Sequence, residues 1–280
     1  MSSAETIERE RRWATPAALG TFLAVGLSFA SLILLASKFG AGGNAELLRK
    51  INDDSGTLVL TYVIRALGSA LLAIPLVYLF RATEARSDKV RAQLLGLVIA
   101  GPLFMAAFAI FTGLSLHDAA PDFVAKQVTG STSHMDDVAQ NAINDASFRS
   151  LAAGFGIAGA LGFAFAMAYT SLHATRVGLL SRFWGSLGVA LGVGSILFPQ
   201  YTLIWIIYLG LLIAGRVPRG RPPAWDAGEA IPWPSPGERM AEQMSGDRED
   251  GGDAAADEAE PGTPPRQPPE RRKRKRRSDA

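Results

Sequence analysis

Read from the amino end, the chain is a series of long, nearly uncharged apolar blocks separated by short polar stretches. The blocks fall at 15–36, 58–80, 94–116 and 151–172. The first lies between Arg12 and Lys38, the second contains a single charge, Arg65, and the other two contain none. A hydrocarbon core of ~30 Å needs roughly 20 apolar residues in a helix, and each block meets that length. None alternates with a period of two, and in lipid only helices and closed barrels satisfy their backbones, so the pattern predicts helices. The stretch 183–215 is long for one span and short for two. Pro199-Gln200 at its middle supplies a turn, which predicts two short spans at 179–198 and 201–214. The expected fold class is therefore all-α, a polytopic membrane bundle of about six transmembrane helices. A segment 1–14 precedes the six-helix domain 15–215, and a disordered tail 216–280 follows it.

Charge orients the spans. Basic residues gather at alternate ends: Arg9, Arg11 and Arg12, then Arg81, Arg86, Lys89 and Arg91, then Arg176 and Arg182, then Arg216, Arg219 and Arg221. The intervening loops are poorer for their length. Lys38, Arg49 and Lys50 lie in the first, Lys126 and Arg149 face five aspartates in 117–149, and the turn at Pro199 has no charge. Cytoplasmic flanks carry the excess of Lys and Arg, so both termini are expected in the cytoplasm. Five spans would put the basic tail outside. The first block, at about 20 apolar residues, exceeds the 7–15 of a signal sequence and is expected to remain as a span. Arginine outnumbers lysine 22 to 6, a GC-rich bacterial usage, which places the chain in a bacterial plasma membrane. There is no cysteine, which excludes disulfides, thiol nucleophiles and cysteine-held metals.

The two large outer loops carry helical signals. Asn44 is placed to cap a helix over 45–51 with Leu47, Leu48 and Ile51 on one face. Ser133 to Asp136 matches a loose capping box for a helix bearing Met135, Val138, Ala142 and Ala146. These helices are expected to cover the bundle mouth or to line a vestibule. Beyond Val217 the chain is rich in proline, with Trp225 and Trp233 expected near the membrane interface. An acidic run at 247–260 and a basic run, Arg271, Arg272, Lys273, Arg274, Lys275, Arg276 and Arg277, mark disorder by composition. The basic run suits anionic lipid headgroups. Non-specific nucleic-acid binding, folding back on the acidic run, or a solubilising role without a partner are the other readings. No sequence-specific nucleic-acid motif is present.

Inside the spans the polar residues are few. Arg65 has Thr61, Tyr62, Gly68 and Ser69 at three or four residues, so one helix face is polar or small. A charge there is costly and is expected to face the bundle or to snorkel outward. Asp118, beside His117 at the end of the third block, is the candidate partner. Arg65, Ser69 and Asp118 thus form a candidate intramembrane polar site. Pro75 and Pro102 add kinks. Gly154, Ala158, Gly162 and Ala166 recur every four residues, and Gly188 and Gly192 form a GxxxG after Gly185. Such ridges let helices approach closely, which predicts packing of the fourth span on the fifth or a homodimer.

Catalytic signatures are missing: no P-loop, HExxH or GxSxG is present, and no GxGxxG lies between a strand and a helix. His134 with Asp136 and Asp137 is a weak metal set, and His173 beside Arg176 reads as interfacial. No catalytic residue, cofactor or metal is expected. The stretch Arg176-Val-Gly-Leu-Leu-Ser-Arg182-Phe-Trp184-Gly185-Ser-Leu-Gly188 resembles a loop-to-span element of uncharacterised six-span actinobacterial membrane proteins. The stretch Arg221-Pro-Pro-Ala-Trp225 through Trp233-Pro resembles a post-membrane element of the same proteins. That resemblance covers about 10–235 and implies no chemistry. The function expected is a non-enzymatic structural or regulatory membrane protein, the alternative being a small-molecule transporter with a cavity near Arg65.

Overall fold

The computed structural model describes residues 2–40, 42–218 and 220–234. Every regular element among them is helical: α1 (Ser3–Phe39), α2 (Asn44–Asp53), α3 (Ser55–Leu71), α4 (Ala73–Glu84), α5 (Leu95–Ala125), α6 (Thr132–Asp145), α7 (Arg149–Arg176), α8 (Arg182–Gly194), α9 (Thr202–Ile213) and α10 (Pro223–Ala227). Residues 2–233 belong to one compact unit. The acidic run at 247–260 and the basic run from Arg271 to Arg277 lie outside the described residues.

Four helical stretches are long and apolar enough to cross a bilayer: Ser3–Phe39, Ser55–Glu84, Ala92–Ala125 and Arg149–Arg176. The second is interrupted at Leu72, between α3 and α4. Pro75 causes the break. It has no N–H to donate, and its ring crowds the carbonyl four residues earlier, at Leu71 where α3 ends. The four stretches alternate in direction, so the bundle has a basic end, holding the start of α1 and the α4–α5 loop, and a loop end, holding α2 and α6.

The fifth and sixth expected spans are helical and short. α8 has 13 residues and α9 has 12. At 1.5 Å per residue these are ~20 and ~18 Å long, well short of a ~30 Å core. The chain turns at 195–198, and Pro199 begins a short 3-10 helix, Pro199–Tyr201, that runs directly into α9 and adds ~6 Å to it. α8 packs on α7 and α9 on α1, so this hairpin fills the gap between the first and fourth long helices from the basic end.

Small residues set the closest contacts. α5 runs against α7, where Gly101 lies so near Phe163 that an added Cβ would sit 2.5 Å from its backbone nitrogen. Gly162 faces Gly101, and Gly188 and Gly192 of α8 lie against Ser171 and Ala168 of α7. Gly154 meets open space and is exposed, contrary to the expected ridge. A four-residue repeat on a helix of 3.6 residues per turn drifts ~40° per step, so Gly154 stands ~80° away from Gly162.

One buried cluster fills the basic end, with Leu76, Phe80, Met167, Trp205 and Leu209 fully enclosed. A second fills the loop end around Leu48, Ile51, Leu58 and Phe123, beneath α2 and α6. The outward faces of the long helices carry large exposed apolar residues, among them Leu19, Leu23, Ile33, Leu60, Ile157 and Leu161. The loop helices form as expected, with different caps. Asn44 is the first residue of α2, and Asp136 of α6 accepts the Ala45 N–H at 2.9 Å in its place. α6 is capped by Ser131, two residues before the expected box, and ends at Asp145, short of α7.

Candidate functional site

Two polar regions lie in the bundle. The first surrounds Arg65 on α3. This residue and Ser69, one turn on, line a cavity of about 110 Å³. Ser28 and Ser31 of α1 enter from one side, and Ser195, Gln200 and Thr202 come from the tip of the α8–α9 hairpin. Arg65 is half-buried and makes no hydrogen bond or ion pair among the described residues. It is the tenth residue after Ser55, ~15 Å along the helix, so the hairpin tip reaches a level well inside the bundle. Backbone that is not helical at such depth must be buried in protein or line a wet cavity. The turn at Pro199 lies on the cavity wall.

The structure does not bring Asp118 to Arg65. Gly113 abuts Tyr62, which fixes the register of the antiparallel α3 and α5. Arg65 is then level with about residue 110, and Asp118 stands eight residues beyond, ~12 Å nearer the loop end. There its carboxylate accepts the Ser147 N–H at 2.9 Å and ties α5 to the start of α7. The candidate triad is therefore a pair, Arg65 with Ser69. No three His, Cys, Asp or Glu side chains cluster among the described residues as a metal site needs, and Asp136 is engaged with α2. His173 packs its ring 4.4 Å from that of Tyr169.

The second region, at the basic end, is one that composition alone does not reveal. Glu10 of α1 and Arg86, beyond α4, form an ion pair in which the arginine side chain is fully buried. Arg86 Nη2 donates to Glu10 Oε2 at 3.0 Å, and Arg86 also donates to the Ala82 and Ala224 carbonyls. Its guanidinium lies 5.7 Å from the Trp225 ring centre, and Arg221 stacks on the same ring at 5.5 Å. Arg221 also donates to the carbonyls of Leu212 and Ile213 at the end of α9, where orphan helix carbonyls need partners. Tyr78 completes the group by donating to the Glu10 carbonyl at 3.1 Å.

This region moves the boundary expected for the tail. Residues 222–233 are folded onto the bundle. Trp225 is buried and gives its indole N–H to the Leu179 carbonyl at 2.9 Å, and Trp233 gives its own to Leu180 at 2.8 Å. Arg182 donates to the Trp233 carbonyl, and Ile231 donates to Val177. The turn that receives them needs Gly178, which has a φ of +81° and no room for a Cβ against Ile231. The two tryptophans are thus anchors for the chain, and their wide spacing among prolines concealed it. Glu10 was the available signal for the ion pair, an acid set among three arginines in 9–12.

Comparison with protein-family models, with curated proteins and with solved structures finds no match for the chain.

Proposed function

We propose that the chain is a multi-pass integral protein of a bacterial plasma membrane, with a structural or regulatory role and no chemistry of its own. The observation that carries this reading is the set of four helices long and apolar enough to cross a bilayer, whose outward faces expose Leu19, Ile33, Leu60 and Ile157. A monomer in water rarely shows so much continuous apolar surface, and lipid covers it. The six expected crossings are carried here as four crossings and a re-entrant hairpin, α8–α9, which enters and leaves at the basic end. Either count is even, so both keep the two ends of 2–234 on one side, and the excess of arginine at the basic end makes that side cytoplasmic. The resemblance to six-span actinobacterial proteins belongs to this proposal, as do anionic lipid contact through Arg271 to Arg277 and a homo-oligomer.

The absence of native cysteine makes the test direct. Single cysteines at Ser133 and Glu229 are labelled with an impermeant maleimide in intact and in permeabilised cells. Ser133→Cys is expected to react in intact cells and Glu229→Cys only after permeabilisation. Reaction of both in intact cells would put the basic end outside and overturn the topology. Release of the chain from membranes by alkaline carbonate would overturn the membrane reading itself.

A second reading, passage of a small anion, is favoured by one observation: Arg65 is a half-buried cation without a counter-ion among the described residues, in a cavity lined by hydroxyls and an amide. Anion flux into vesicles that Arg65→Leu abolishes, with the variant still folded, would establish it. Unchanged flux would remove it.

A further inference from the structure

Between the basic end of α1 and the end of α9 lies a groove of about 610 Å³, separate from the Arg65 cavity. Its polarity is graded. Arg11, Arg216 and Arg221 supply its guanidinium groups, and Ala18, Leu19 and Phe22 continue it about two to three turns further along α1. Along α1 it runs from Ile7 to Phe22, 15 residues or ~22 Å of helix axis. Two carboxylates face it. Glu10 is taken by Arg86, and Asp226 is the other. Among the described residues, three guanidinium groups therefore face one unengaged acid. Arg221 is fixed by its bonds to the α9 carbonyls and its stacking on Trp225. Arg11 and Arg216 are exposed and make no hydrogen bond or ion pair among the described residues.

From this we infer that the groove holds an anionic glycerophospholipid of the cytoplasmic leaflet. The phosphate sits among Arg11, Arg216 and Arg221, and an acyl chain runs down α1 over Leu19 and Phe22. Charge complementarity selects an anion, because the polar end carries an excess of three cations over one acid. The apolar continuation selects a lipid over a soluble phosphate, which would occupy only the polar end and leave the apolar wall bare. Guanidinium groups also suit phosphate better than ammonium groups do, through paired donors in one plane. The inference rests on the membrane reading. It is distinct from lipid contact by the basic run at 271–277, which is present in every variant below.

The test is native mass spectrometry of the full chain in nonionic detergent, titrated with phosphatidylglycerol or phosphatidylcholine. The wild-type chain is expected to retain phosphatidylglycerol in preference. Arg11→Gln with Arg216→Gln is expected to weaken that retention about 30-fold, the worth of two interfacial cations. Arg12→Gln with Arg91→Gln, equal in charge but outside the groove, is expected to leave it within about 2-fold, because charges off the site act only through a screened field. Leu19→Gln changes no charge and is expected to weaken retention of the same lipid. Equal loss in the two arginine pairs, or no loss in either, would overturn the groove. So would competition by glycerol phosphate at the same concentration as the lipid. A chain that needs detergent but shows no lipid preference overturns the groove and leaves the membrane reading standing. A chain soluble without detergent overturns the membrane reading first.

Discussion

Arg86 and Arg65 are both set into one helix bundle, and their surroundings differ in what decides the cost of a buried charge. Arg86 is fully enclosed and has Glu10, two backbone carbonyls and the face of Trp225 as partners. Arg65 is half-buried beside serines and an amide, with no ion pair among the described residues. A guanidinium with all its donors used holds elements together. One left among hydroxyls in a small cavity stays hydrated or waits for an anion. The basic end is thus a brace, joining α1, the α4–α5 loop and the chain after α9, while the middle of the bundle holds a small cavity with polar lining.

The largest expected effect breaks the brace. Arg86→Leu leaves Glu10 buried and unpaired and is expected to cost about 3–5 kcal/mol of stability, measured by thermal or denaturant unfolding in detergent. Adding Glu10→Leu is expected to restore much of the loss, since a buried pair replaced as a pair is often neutral. A double variant as unstable as the single one would mean that packing, not the ion pair, holds that end. Next in size is Gly188→Val. A Cβ there would lie 2.6 Å from Trp205 Nε1 and would also crowd Ser171, so α8 must move off α7. Overpacking of this kind costs about 1–3 kcal/mol, and Gly154→Val, in open space, is the matched control with no comparable loss. Arg65→Met is expected to change stability by less than about 0.5 kcal/mol or to raise it, because no partner is left behind. A loss equal to that of Arg86→Leu would show that Arg65 is braced as well.

The smallest effect is one of pH, at the loop end. Asp54 caps α3, and its bond to Thr57 holds its carboxyl below the ordinary carboxylate range. A depressed folded value means that the stabilisation is present above the unfolded pKa of about 3.9 and is lost as pH falls through the lower, folded value. Amide exchange at the first turn of α3 is therefore expected to quicken only in acid. Asp54→Asn, which keeps an acceptor and removes the titration, is expected to abolish that dependence.

The two regions were unequally legible. Block length and absence of charge suffice to read the four long helices, because a run of about 20 apolar residues has few other solutions. The polar face that puts Arg65 beside Ser69 follows from helical spacing, and both line the cavity. The partner proposed for Arg65 fails because span ends do not fix register: only the contact of Gly113 with Tyr62 shows that Asp118 stands too near the loop end. The brace was hidden for two reasons. Glu10 and Arg86 lie 76 residues apart, and basic flanks read as topology signals whatever else they do. The segment after α9 has the proline and polarity of a disordered tail, yet two indole N–H groups and one buried ring fasten it to Leu179, Leu180 and Arg86. The stretches 176–188 and 221–233 are the two sides of that contact.

The re-entrant hairpin is where the account can be tested most directly, through the depth of Gln200. A single cysteine there is compared with Ser133→Cys in intact cells, using a small methanethiosulfonate cation and a bulky polyethylene-glycol maleimide. The account predicts that both reagents modify Ser133→Cys, while Gln200→Cys reacts with the small reagent and resists the large one, as a hairpin tip in a narrow wet cavity must. Equal reaction of the two positions with the large reagent would place the turn at the outer surface. α8 and α9 would then be full crossings, and the cavity at Arg65 would lose its wall.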